Sequence, residues 1–181
     1  MNTTIIDTET NLTFELTEGV NTEKIDPLAY YLVMLCGKVI FDTTQKTPVF
    51  TSGWRNLSRQ KSAMAALKKK DPALYATVYG GMIKRGQDPS TMPHADTPGR
   101  AGDWLFTGFE KAESKLLEIN GWLMEGAKEL LGYIPSPFIL PEKGKDKDGK
   151  PFNLCFHCQL PRQIPNRQKL RDYMTATFSR T

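Results

Sequence analysis

Alternating apolar and polar residues predict two β-hairpins. In residues 3 to 17, Leu12, Phe14 and Leu16 alternate with polar side chains, which is the period-two pattern of a strand with one buried face. In residues 137 to 160, two apolar arms flank a charged loop that contains glycine. The two hairpins could pair into one small sheet.

Apolar residues at helical spacing predict five or six helices. The first begins at Asp26, whose side chain can cap a helix, and at Pro27, whose ring suits a first turn. Gly37 is expected to end this helix, and a break or a bend is expected at Asn120–Gly121 because glycine weakens a helix. Further helices are predicted over residues 58–70, 72–86, 104–131 and 166–178. The predicted fold class is therefore α+β, mostly helical, with two β-hairpins.

A segment rich in proline and glycine, residues 86 to 102, interrupts this pattern. It is predicted to be a flexible internal loop or a boundary between two lobes of a single domain that spans residues 1 to 181. Asp103 follows directly, and its acceptor side chain is expected to cap the long helix that comes next.

Composition limits the class of protein. The chain has 181 residues, of which 39 % are hydrophobic, and this suffices for the core of one domain. No apolar run reaches the ~18 residues of a membrane span, and the N-terminus lacks the features of a secretory signal. Three cysteines cannot all pair within one chain, which favours a reducing compartment. The expected location is the cytoplasm, and no membrane association is predicted.

Positive charge is concentrated in residues 55 to 86. Eight basic residues and one acid give this stretch a net charge of +7, whereas the whole chain carries +4. The basic residues are Arg55, Arg59, Lys61, Lys68, Lys69, Lys70, Lys84 and Arg85. The C-terminal helix adds Arg167, Lys169 and Arg171. These side chains are predicted to bind the phosphate backbone of a nucleic acid, and Trp54, Tyr75 and Tyr79 would stack on bases if they were exposed.

A Cys-x-x-Cys pair, Cys155 and Cys158, is half of a zinc-binding pattern, which Cys36 and His94 could complete. If this segment is a strand, however, the two thiols point to opposite faces, and Cys155 shares its face with His157. The sequence therefore favours buried thiols over a zinc site.

Catalytic motifs are missing from the sequence. His94 and His157 are the two histidines, and neither lies in a recognised nucleophile pattern. The sequence also lacks a glycine-rich phosphate loop, so no cofactor is predicted.

The charge pattern favours a non-enzymatic basic module that binds nucleic acid or a nucleoprotein complex. One alternative is a protein–protein interaction module, such as an inhibitor or adaptor of viral or mobile-element origin, whose partner is acidic or itself binds nucleic acid. The other is a metal-dependent enzyme.

Overall fold

A six-stranded sheet with helices on both faces forms the centre of the protein. The computed structural model describes residues 2–55, 57–84, 86, 88, 94, 98–145 and 148–180. Within these residues the chain forms six strands, five α-helices and one 3-10 helix. In chain order they are β1 (Thr3–Asp7), β2 (Leu12–Leu16), α1 (Pro27–Thr44), β3 (Val49–Ser52), α2 (Leu57–Lys70), α3 (Pro72–Lys84), β4 (Ala101–Leu105), the 3-10 helix (Glu110–Ala112), α4 (Glu113–Leu131), β5 (Ile139–Lys145), β6 (Pro151–Gln159) and α5 (Arg167–Phe178).

The strands form one mixed sheet in the order β1-β2-β3-β4-β6-β5. β2 and β3 are parallel, and all other neighbours are antiparallel. The prediction of a mostly helical chain with two hairpins is therefore wrong, because β3 and β4 lie between the hairpins β1–β2 and β5–β6 and join them into a larger sheet. The class remains α+β. β5 is an edge strand, and its pairing with β6 is interrupted by a register shift between Glu142 and Lys143.

Helix α1 packs against one face of this sheet. It continues through Gly37 to Thr44, so the predicted end at Gly37 is wrong. A Cβ atom at Gly37 would lie 2.4 Å from Cζ2 of Trp104, so glycine is required for the close approach of β4 to this helix. The Trp104 indole Nε1 donates a hydrogen bond to the carbonyl of Val33, at 2.8 Å.

The core lies on the same face. The ring of Trp104 is 5.6 Å from that of Phe14 and 5.1 Å from that of Phe50, between centroids. Helices α4 and α5 complete the core with the buried residues Leu116, Ile119, Leu123, Leu170 and Met174. Since successive side chains of a strand point to opposite faces, the neighbours of Trp104 and Phe156 point away from this core.

Asp103 does not cap a helix. It lies in β4, where it pairs with His157 of β6. Helix α4 begins ten residues later at Glu113 and continues through Asn120 and Gly121, so the predicted break is also wrong.

Among the described residues, no helix has both the length and the apolar character needed to cross a bilayer.

Two glycines of α4 are predicted to respond oppositely to replacement by alanine. A Cβ atom at Gly121 would meet no heavy atom within 4 Å, whereas one at Gly126 would lie 2.2 Å from Cζ of Tyr173. Gly121→Ala should raise the free energy of unfolding by up to about 1 kcal/mol, because alanine favours the helix. Gly126→Ala should lower it by about 1–2 kcal/mol, because Tyr173 must move from its hydrogen bond with the Trp122 carbonyl. Urea denaturation measures both effects, and a shift of the same sign in the two variants would contradict this packing.

Candidate metal centre

The predicted zinc ligands are not brought together. Cys158 points into the core, where its thiol is hydrogen-bonded to Cys36 of α1, and burial raises its pKa well above the ordinary value. Cys155 points to the opposite face, where its Sγ donates to Oε2 of Glu142 at 3.5 Å. Burial also raises the pKa of the Cys155 thiol. Of the four candidates, only His94 lies in the cluster described next.

Three buried side chains meet on the face of the sheet opposite α1. Asp103 of β4 and His157 of β6 are cross-strand partners, and the chain brings His94 over them. Oδ1 of Asp103 lies 2.7 Å from Nδ1 of His157 and 3.2 Å from Nε2 of His94. One ligand atom from each of the three residues can be chosen so that all lie within 4.8 Å of one another. Ligands around a tetrahedral ion, with bonds of about 2.0–2.1 Å, are separated by roughly 3.3 Å.

The outer nitrogen of each imidazole faces a carbonyl oxygen. Nδ1 of His94 donates to the carbonyl of Gly53 at 2.9 Å, and Nε2 of His157 lies 3.3 Å from Oε1 of Gln159. The amide of Gln159 is fixed in this orientation because its Nε2 donates to the carbonyl of Pro137. A carbonyl oxygen only accepts hydrogen bonds, so both outer nitrogens carry a hydrogen. In a neutral imidazole the inner nitrogen would then direct its lone pair at the carboxylate of Asp103, so each of these contacts is favourable only when a proton or a metal ion lies between the nitrogen and the oxygen.

The electrostatics of the cluster agree with this geometry. Burial by itself raises the pKa of the Asp103 carboxyl, but the imidazoles of His94 and His157 outweigh it and hold the pKa well below the usual range. Burial by itself lowers the pKa of His157, but the hydrogen bond and negative charge of Asp103 outweigh it and raise the pKa. The cluster is therefore an anionic centre that favours a positive charge, whether a proton or a metal ion.

A cavity of about 370 Å³ opens beside the cluster, between the sheet and helices α2 and α3. Its polar end contains the three clustered residues together with Arg55 and Glu142. Arg55 donates from Nη2 to Oγ of Ser52 at 2.7 Å and from Nη1 to Oε1 of Gln60 at 3.3 Å. The other end of the cavity is mainly apolar and is formed by Ala63, Leu67, Leu74, Leu154 and the ring of Tyr79.

The predicted basic residues fall into separate groups. Arg55 faces the cavity, while the exposed lysines of α2 and α3 form no ion pair within the described part of the chain. These lysines are Lys61, Lys68, Lys69, Lys70 and Lys84. Arg85 and the side chain of Arg59 lie outside the described residues.

The C-terminal basic residues belong to another part of the surface. Arg167 forms an ion pair with Asp26, and Arg171 forms one with Glu9, so carboxylates balance both charges. Lys169 is exposed.

The aromatic residues proposed to stack on bases are mostly covered. Tyr79 is buried, Tyr75 and Trp54 are half-buried, and a lysine ammonium lies over each of the latter two rings.

Sequence reasoning did not identify Asp103 or His157 as members of one site. The alternation of β6 did place Cys155 and His157 on one face, which was a usable signal. Asp103 carries no such signal, because the sequence of its strand, Ala-Gly-Asp-Trp-Leu, shows no clear alternation.

Comparison with protein-family models, with curated proteins and with solved structures finds no match to this chain.

Proposed function

We propose that the protein is a metal-dependent hydrolase whose divalent ion is bound by His94, Asp103 and His157. The observation that carries this proposal is the pair of outer hydrogen bonds, from His94 to Gly53 and from His157 to Gln159. Histidines that bind metals characteristically donate their second N–H to a carbonyl or carboxylate in this way, which fixes the tautomer and the ring orientation. Two imidazoles and one carboxylate suit zinc and other first-row divalent ions and leave further positions open.

The other polar residues of the cavity suit hydrolysis. A divalent ion in this position would lower the pKa of a bound water and so supply the nucleophile near neutral pH. Glu142 lines the same cavity and would take the proton from that water. In such a hydrolysis the water oxygen would form a bond to the electrophilic atom of the substrate, the bond to the leaving oxygen would break, and Glu142 would return the proton to the leaving oxygen. Arg55 would stabilise the negative charge that develops.

Metal titration tests this proposal directly. Protein treated with a chelator and then dialysed against Zn²⁺, Mn²⁺ or Co²⁺ should bind about one ion per chain, as measured by elemental analysis. The Cys158→Ala variant is the matched control, because its thiol faces the core, and it should bind the same amount. Hydrolysis of p-nitrophenyl phosphate or acetate should depend on the added ion. If none of the ions binds, or if the Cys158 variant loses the ion, the assignment is wrong.

Binding of nucleic acid without catalysis is a second proposed function. It is supported by the exposed lysines of α2 and α3, which form no ion pair within the described residues. For either function we propose the cytoplasm as the location, on the basis of the odd number of cysteines.

A further inference from the structure

We infer that the substrate is a single nucleic-acid strand, one phosphate of which is bound by Arg55 beside the metal ion. This inference rests on the proposed function, because it names the substrate of the same site. Three observations support it: the partners of Arg55, the charge balance of the cavity, and the lysines that lie beside its apolar end.

Arg55 is a positive charge held in place by neutral partners. Within the described residues its guanidinium donates to the hydroxyl of Ser52 and to the amide oxygen of Gln60, and neither partner carries a charge. A guanidinium has five N–H donors, so donors remain for a ligand in the cavity. Arginine held in this way is well suited to bind phosphate oxygens in pairs.

The charge balance of the cavity links anion binding to the metal. Among the described residues that line the cavity, two carboxylates and one guanidinium leave one net negative charge when the imidazoles are neutral. A divalent ion changes this to one net positive charge. A phosphate should therefore bind the metal-loaded protein far better than the metal-free protein.

Exposed lysines lie beside the apolar end of the same cavity. Leu67 and Leu74 line the cavity, and Lys68, Lys69 and Lys70 lie between them in the chain, at the turn from α2 to α3. The one acid in this turn, Asp71, accepts a hydrogen bond from the backbone of Leu74 and so caps α3. A strand whose phosphate reaches Arg55 would continue past these lysines. The apolar lining suits the face of a base, and a cavity of about 370 Å³ accepts a single nucleotide rather than a duplex.

The experiment measures two probes on the zinc-loaded and zinc-free protein: thymidine 5′-monophosphate, and an oligothymidylate of about ten nucleotides. We expect both to bind, with preference for the zinc-loaded form, and the oligothymidylate to bind more tightly. Arg55→Gln should lower the affinity for both probes by about 10- to 100-fold, because a hydrogen bond to a charged group is lost. The same variant should still bind zinc, because Arg55 is not a ligand.

Reversing the charge of three lysines distinguishes binding of a nucleic-acid strand from binding of a single phosphate. The triple variant Lys68→Glu, Lys69→Glu and Lys70→Glu should lower the affinity for the oligothymidylate. It should also reduce the slope of log affinity against log salt concentration by about 2, and it should leave the affinity for the monophosphate unchanged. The matched control reverses the charge of three lysines in the 3-10 helix and α4, namely Lys111, Lys115 and Lys128. It should alter the binding of neither probe.

The outcomes distinguish this inference from the proposed function. A protein that binds no zinc contradicts both. A protein that binds zinc but neither probe, or whose Arg55→Gln variant binds both as before, overturns this inference alone. Equal affinity for the two probes, or equal effects of the two triple variants, would overturn the assignment of a nucleic-acid strand.

Discussion

Replacing Asp103 with alanine is expected to lower the affinity for zinc by more than about 100-fold. The carboxylate is the only anionic ligand of the proposed centre, and its Oδ1 lies 2.7 Å and 3.2 Å from the two imidazole nitrogens. Loss of a residue that only orients a ligand already costs about 10- to 100-fold, so loss of the ligand itself should cost more. Competition with a chromophoric chelator measures the affinity.

Two further variants test whether the loss of zinc affinity is specific to the proposed site. Asp42→Ala removes an exposed carboxylate that pairs with Lys38 on α1, and it should leave zinc affinity unchanged. Gln159→Ala removes the partner of the outer nitrogen of His157, and it should lower zinc affinity by about 10-fold or more. Circular dichroism of each variant shows whether it is folded. A folded Asp103→Ala protein with the affinity of the wild type would show that the three side chains are a hydrogen-bond network without a metal.

Replacing Trp104 with alanine is expected to lower the free energy of unfolding by about 3–5 kcal/mol, the usual range for a large buried aromatic residue. The side chain is fully buried between α1 and the sheet, against Phe14 and Phe50. Its indole also donates to the carbonyl of Val33, which would lose this partner. Urea denaturation followed by circular dichroism provides the measurement.

The matched control is Trp122→Ala in α4, where the indole is half-buried under the side chains of Lys115 and Arg180. This variant should lose clearly less stability, because less apolar surface returns to water. A Trp104 variant no less stable than the Trp122 variant would mean that the centre of the core lies elsewhere.

Features that depend on neighbouring residues were predictable from the sequence. The start of α1 is an example, because Oδ1 of Asp26 accepts hydrogen bonds from the backbone of Leu28 and Ala29 as a capping residue should. The two hairpins were predictable for the same reason, since each is built from adjacent strands.

Features that depend on distant contacts were not predictable. Strand β4 has the sequence Ala-Gly-Asp-Trp-Leu, which shows no clear alternation. It becomes a strand because it pairs with β3 and β6, and Gly102 admits the ring of Phe50, which would lie 2.7 Å from a Cβ atom there. The glycine within α1 likewise reflects a distant contact, because the ring of Trp104 occupies the space that a Cβ atom at Gly37 would need.

The candidate site was hidden for the same reason. His94, Asp103 and His157 come from three separate segments, so no short spacing marks them as a group. The positive charge of residues 55 to 86 was visible in the sequence. Only the fold shows that helices α2 and α3 cover the cavity into which Arg55 points.

The register shift in β5 also affects the behaviour of the protein at high concentration. An open sheet edge with a regular row of free backbone groups invites another chain to add a strand and begin aggregation. Here Pro141 has no N–H to offer, and the bulge at Glu142 and Lys143 disturbs the spacing of the groups that follow. The ammonium of Lys143 is held by Glu113, at 2.7 Å, so a charge also lies next to this edge. β5 is thus a poor template for intermolecular β-pairing, which protects the edge nearest the cavity.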